Sequence, residues 1–143
     1  MIDSERVAEV MGGPEVLGGA VCSLSTLETV VNAGLPKEAL KRVVERAIGE
    51  RQERRQLLHA IVPEATYKRR QVLSPDASER TERLARVVAT AEYVWGDPEL
   101  ARRFLHEPHP MLEGRAPVRV ALTELGARRA EDVLWSLFYG LPA

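Results

Sequence analysis

The stretch from Leu73 to Pro117 constrains the fold more than any other part of the chain. It opens with Leu73-Ser74-Pro75-Asp76, a helix start. The serine can accept from a free amide of the first turn, the proline withholds no needed donor, and the aspartate faces the positive end of the dipole. Apolar or small residues then recur at Ala77, Thr81, Leu84, Val88, Ala91 and Trp95, with Val87 and Val94 widening the stripe. Such three- and four-residue steps predict one long amphipathic helix. Gly96 closes it, and Asp97-Pro98 opens a second helix to about Leu105 that buries Leu100, Ala101, Phe104 and Leu105. Pro108, Pro110, Gly114 and Pro117 then mark a shaped loop.

The rest of the chain reads as further helices. Residues 1–20 look weakly ordered, with a short helix at Ser4–Met11, and Gly12, Gly13, Gly18 and Gly19 suit turns better than a phosphate loop. Ser25-Thr26-Leu27-Glu28 is a capping box that starts a helix carrying Leu27, Val30 and Val31. Gly34-Leu35-Pro36 stops it. Lys37 to Ile48 turns Leu40, Val43, Val44 and Ala47 inward, Glu50 to Ala60 follows, and Pro63 opens a short basic helix to about Gln71. Pro117 to Leu122 suits a helical turn or a strand equally. Ala127 to Tyr139 is a last helix with Ala130, Val133, Leu134, Leu137 and Phe138 inward, and Gly140 caps it. The fold class is all-α.

With 45% hydrophobic and 29% charged residues, the 143-residue chain has a globular balance. It contains no apolar run near the ~20 residues of a membrane span, and no basic n-region with an apolar stretch opens it, which implies a cytoplasmic protein without a membrane partner. A single cysteine, Cys22, forms no internal disulfide and reads as a half-buried small hydrophobe. The net charge of −1 excludes a uniformly basic coat, but Lys37, Lys41, Arg42, Arg46, Arg51, Arg54, Arg55, Lys68, Arg69 and Arg70 crowd the middle of the chain. They form either a local phosphate-binding surface or solvated helix faces paired with Glu45, Glu50 and Glu53.

Two helices, a tight turn and a third helix rich in Thr, Tyr, Lys and Arg outline a helix-turn-helix. Thr66, Tyr67 and Lys68 stand near the start of the recognition helix, within reach of base edges, and Arg69 and Arg70 suit phosphate. The turn reads Ala60-Ile61-Val62-Pro63, without the usual glycine. His106 and His109 flank a carboxylate but lack a third and fourth zinc ligand at suitable spacing, so they read as surface histidines. His59 suits the negative end of its helix. No nucleophile–base–orienter set stands out. The expectation is a binding protein with no catalytic residues, no metal and no cofactor. Trp135 and Tyr139, followed by Leu141 and Pro142, either close the protein's own core or anchor a partner.

The same central run resembles a known family. Leu73-Ser74-Pro75-Asp76-Ala77-Ser78-Glu79-Arg80, Arg83-Leu84-Ala85-Arg86, Trp95-Gly96-Asp97-Pro98-Glu99, Ala101-Arg102-Arg103-Phe104-Leu105 and Pro108-His109-Pro110-Met111-Leu112-Glu113-Gly114-Arg115-Ala116-Pro117 look like the C-terminal domain of Xre/MbcA/ParS antitoxins, partners of RES-domain toxins. Thr123-Glu124-Leu125-Gly126-Ala127 and Glu131-Asp132-Val133-Leu134 continue the likeness, and Gly34-Leu35-Pro36 with Thr66-Tyr67-Lys68-Arg69-Arg70 resemble the family's helix-turn-helix portion. Phe104 stands where the family often has Trp.

The resemblance implies three parts: a weak N-terminal segment (1–20), an Xre-like helix-turn-helix domain (21–72) and a toxin-binding domain (73–143). It implies an antitoxin that blocks the active site of a RES-domain, NAD-consuming toxin and represses its own operon by binding operator DNA. In such proteins the C-terminal domain dimerises and holds the toxin, and its last residues enter the toxin's NAD pocket. By position, Tyr139, Gly140 and Leu141 would form that plug beside Trp135, in a homodimer within a larger toxin–antitoxin complex. The alternative is a stand-alone transcriptional regulator whose C-terminal half only dimerises.

Overall fold

The computed structural model describes residues 1–140. They are all-α. Ser4–Val10 (α1), Gly13–Leu17 (α2), Leu24–Ala33 (α3), Lys37–Ala47 (α4), Arg51–Ile61 (α5) and Glu64–Arg69 (α6) come first. Pro75–Trp95 (α7), Pro98–His106 (α8), Pro117–Val120 (α9) and Glu124–Tyr139 (α10) follow, with one 3-10 turn at Pro110–Leu112 between α8 and α9. Extended pairing among the described residues is limited to the isolated bridges Pro36–Val72 and His109–Arg115.

Helix α7 is the spine, and it is built as its sequence dictates. The Ser74 hydroxyl accepts from the Ala77 amide, Pro75 occupies the first turn, and Gly96 closes the helix at φ 67°. Leu84, Ala85, Val87, Val88 and Ala91 are fully enclosed. The helix packs against α1, α3, α4, α5, α8, α9 and α10, so one continuous core runs the length of the molecule. Its polar positions are satisfied locally: the Thr81 and Thr90 hydroxyls donate to the carbonyls of Ala77 and Arg86, one turn back. Buried Ser78 instead accepts from the Leu35 amide at 2.9 Å, which ties the Gly34-Leu35-Pro36 loop to the spine. Gly34 sits at φ 97°, and a Cβ there would come within 2.7 Å of Val72 Cγ1, so that loop has room only for glycine.

Several expectations are corrected. The N-terminal segment is not weakly ordered: the expected short helix forms as α1, α2 follows it, and Val7, Val10 and Met11 are buried in the core. The pattern there is short and broken by glycines, which hid its apolar face. The cap of α3 is Ser23, whose hydroxyl accepts from the Thr26 amide, two residues before the expected box. Cys22 is exposed rather than half-buried. Leu100, Leu137 and Phe138 face outward at 39%, 44% and 44% exposure, although each fits an inward stripe. For α10, burial stops at Leu134, because the helix projects beyond the layer that covers it. Pro117–Val120 resolves as a helical turn.

Two arginines close the C-terminal end of α4. Arg54 of α5 donates to the carbonyls of Glu45 and Ile48, and Arg102 of α8 donates to those of Glu45 and Arg46. Cations there suit both the free carbonyls and the dipole. Gly126 lets α10 start hard against α9: a Cβ at that position would lie 1.9 Å from the Val120 carbonyl oxygen.

Candidate functional site

Two surfaces stand apart from the ordinary exterior, one basic and one aromatic. The basic one lies over α4, α5 and α6, around a groove of about 540 Å³. Val44 and Leu58 contribute its apolar floor, and Lys41, Arg51, Arg55 and Lys68 its cationic rim. Many of the cations are paired, but with Glu38, Glu64 and Glu92 rather than with the expected Glu45, Glu50 and Glu53, whose carboxylates take no cation of this cluster among the described residues. Arg42 pairs with Glu38, Arg46 with Glu92, and Arg55 and Lys68 with Glu64, while Arg54 is spent on backbone carbonyls. Among the described residues, Lys41, Arg51, Arg69 and Arg70 have no acidic partner within salt-bridge distance.

Helix α6 sorts its residues by face. Glu64, Ala65, Lys68 and Arg69, at helical spacings of one and four, point to solvent. Thr66 is half-buried and shares a narrow crevice with Val62, Val72 and Arg70. Tyr67 is half-buried too: its ring lies edge-on to His59 at 6.1 Å, and the Lys37 ammonium sits 4.8 Å above its face. The same ammonium donates to the Tyr67 carbonyl at 2.9 Å. Burial pushes the Tyr67 hydroxyl above its ordinary pKa. Of the five residues expected to meet DNA, Lys68, Arg69 and Arg70 are exposed, and Thr66 and Tyr67 are turned partly inward. Sequence reasoning missed Glu64, which accepts from Arg55 at 3.3 Å and pairs with Lys68 at 3.2 Å. The Glu64–Lys68 spacing was the readable signal.

The aromatic surface is formed where the end of α10 crosses the end of α7. Trp135 lies 5.8 Å from Tyr93, 5.6 Å from Phe138 and 6.1 Å from Tyr139 between ring centroids. Phe138 in turn lies 5.5 Å from Tyr93 and 5.1 Å from Tyr139. These are favourable tilted and edge-on separations. Arg6 of α1 stacks its guanidinium 4.9 Å from the centre of the Tyr93 ring. Tyr139 is 65% exposed, and Leu137 adds apolar area beside it. Trp135 is half-buried, so it closes the core and belongs to the patch at once. Gly140 caps α10 at φ 66°. Leu141, the last expected plug residue, lies outside the described residues. Tyr93 and Phe138 were missed as members of the patch; Tyr93 falls off the α7 stripe, which was its signal.

Polar networks brace the aromatic end. Arg86 of α7 reaches Glu82, Glu124 and Glu131, joining α7 to α10, and burial pushes both the Glu82 and Glu131 carboxyls upward. Glu113 accepts from Arg129 of α10 and from Arg115, which hold its carboxyl down to about 2. His106 and His109 are engaged separately, the first with Glu53 at 3.3 Å and the second as acceptor for the Met111 amide at 3.1 Å. No group of three or more potential metal ligands occurs among the described residues. No helix among them is long and apolar enough to cross a membrane.

Comparison with known proteins assigns the two ends. Residues 26–86 match the antitoxin Xre-like helix-turn-helix domain, and residues 90–140 match the antitoxin Xre/MbcA/ParS C-terminal toxin-binding domain. The junction falls within α7. A helix-turn-helix joined through a shared spine to a toxin-binding helical domain defines the antitoxin of a toxin–antitoxin pair. This chain belongs to the Xre/MbcA/ParS antitoxin family. It is similar to the antitoxin Xre of Pseudomonas putida, at 28% identity over 114 residues, which span 80% of this chain and 72% of that protein.

Proposed function

We propose that this antitoxin neutralises a RES-domain, NAD-consuming toxin by seating the aromatic end of α10 on the toxin and closing its active site with Tyr139, Gly140 and Leu141. Trp135 anchors the seat. The protein is a cytoplasmic binding module, not an enzyme, and it needs no cofactor. Its halves divide the work: the part up to the junction within α7 binds operator DNA through α6 and represses the operon, and the part beyond it holds the toxin and pairs two copies of the chain. The supporting observation is the largely exposed cluster of Tyr93, Trp135, Phe138 and Tyr139, in which Trp135 and Phe138 each lie 5.1 to 6.1 Å from both tyrosines and 5.6 Å from each other at a helix end. Aromatic side chains grouped on a rigid element are the usual anchors of a protein interface.

Co-expression with the partner toxin tests the reading. Deleting residues 139–143 should abolish protection while the purified variant keeps its melting temperature, because Tyr139 is mostly exposed and few contacts go with it. Light scattering of the full chain at micromolar concentration should give twice the monomer mass. Full rescue by the truncated protein would remove the plug, and a monomeric mass would remove the homodimer.

A further inference from the structure

Among the exposed residues of α6, Glu64 is the one acid; it opens the first turn, where a carboxylate suits the helix dipole, yet it stands inside a basic rim. The helix presents Lys68 and Arg69 on the same face, and the neighbouring helices add Lys41, Arg51 and Arg55 around one groove. A surface meant only to attract phosphate gains nothing from a carboxylate at its centre, because like charge repels the backbone it must approach. Yet Glu64 is built in. It bridges Arg55 of α5 and Lys68 one turn along α6, at 3.3 Å and 3.2 Å. Lys68 chiefly, with Arg55, holds its carboxyl below the ordinary carboxylate range, so it stays charged. At the same time Thr66 and Tyr67 are turned partly toward the protein, which leaves Glu64, Ala65, Lys68 and Arg69 as the face α6 offers outward.

We infer that Glu64 sets DNA selectivity: its carboxylate holds Arg55 and Lys68 away from phosphates of arbitrary sequence and is released only where a base offers an amino group in the major groove. The inference rests on the DNA-binding reading of α6. Two physical effects combine. On unrelated DNA, Glu64 keeps two cations neutralised and adds one repulsive charge, so non-specific affinity is low. On the operator, a cytosine N4 or adenine N6 amine donates to the carboxylate, and the freed Arg55 and Lys68 turn to adjacent phosphates. Arg51 and Lys41, without acidic partners among the described residues, extend that phosphate track onto α5 and α4.

The test compares the full-length protein with Glu64→Gln and Glu64→Ala on two duplexes of equal length, the operon's own promoter and a scrambled sequence, over a salt series. Glu64 is exposed and makes no core contact, so both variants should fold, melting only slightly below the wild type for the loss of two surface ion pairs. For both, affinity for scrambled DNA should rise roughly tenfold, and the slope of log K against log salt should steepen by about one to two as Arg55 and Lys68 engage phosphate. The ratio of promoter to scrambled affinity should fall at least tenfold, with Glu64→Ala, which has no acceptor, losing more than Glu64→Gln. An unchanged ratio with a wild type that prefers its promoter would overturn the role of Glu64 alone. A wild type that binds neither duplex would overturn the DNA-binding reading itself, and this inference with it.

Discussion

The two surfaces differ in how they are held. The basic face is a set of separate side chains on three short helices, many of them already occupied: Arg42, Arg46, Arg54, Arg55 and Lys68 all have partners within the chain. The aromatic end is continuous. Tyr93 and Tyr139 are joined through Trp135 and Phe138 in one chain of ring contacts, and Arg86, Arg129 and Glu113 brace the helix beneath them. A partner that reads charge through long, flexible side chains can be met by a surface that rearranges. A partner that buries rings requires one that is rigid beforehand.

The contrast breaks most completely if the frame shared by both surfaces is disturbed. Gly126→Ala puts a methyl group 1.9 Å from the Val120 carbonyl, so α10 must shift off α9. A loss of about 3 kcal/mol of stability is expected, in the range of overpacked cores, with a melting temperature lower by ten degrees or more. Toxin protection and promoter binding should fall together. A variant that lost only one of them would show that the two ends are held independently.

The next effect is confined to one surface. Arg69→Ala with Arg70→Ala removes two exposed cations without acidic partners among the described residues. Promoter affinity should drop roughly tenfold, and the salt slope should become shallower by about two. Protection against the toxin in co-expression should be unchanged. Loss of protection would mean that the basic face also touches the toxin.

The smallest effect separates the two surfaces by pH. The folded-state pKa of Glu113 is about 2, below its ordinary 4.5, so its bonds to Arg129 and Arg115 stabilise the fold above pH 4.5. That contribution is lost as pH falls from 4.5 toward 2. Glu113→Gln should therefore melt slightly below the wild type at pH 7, and the gap should close on acidification, as followed by thermal melts. Promoter binding at pH 7 should not change.

Where the sequence was legible, the physics was local. Ser74, Pro75 and Gly96 bound α7 through their own backbone chemistry, and the stripe from Ala77 to Ala91 needed nothing but helical periodicity. At the N-terminus the short helix α1 was legible, but α2 and the burial of the segment were not, because helices of seven and five residues draw their stability from packing Val7, Val10 and Met11 into a core contributed by distant residues. Leu137 and Phe138 misled for a related reason. Periodicity marks which residues share a face, but only the end of the covering layer decides where burial stops, and that layer comes from elsewhere in the chain. Among candidate site residues, Trp135 and Tyr139 were visible as aromatics near a helix end. Their alliance with Tyr93, 42 positions before Trp135 in the numbering, is a crossing of α7 and α10 that no local pattern encodes.

The Glu45 carbonyl, shared by Arg54 and Arg102, together with the junction inside α7, bears on how relatives of this chain can diversify. A hinge or linker would let recombination exchange the helix-turn-helix end for another at little cost. Here any crossover near the junction splits the buried helix α7 and sets Arg102 against the α4 end of another chain, so a chimera inherits mismatched steric partners. New specificities are then more accessible by point substitution on exposed faces, such as the outward side of α6 or the tip of α10, than by shuffling whole segments.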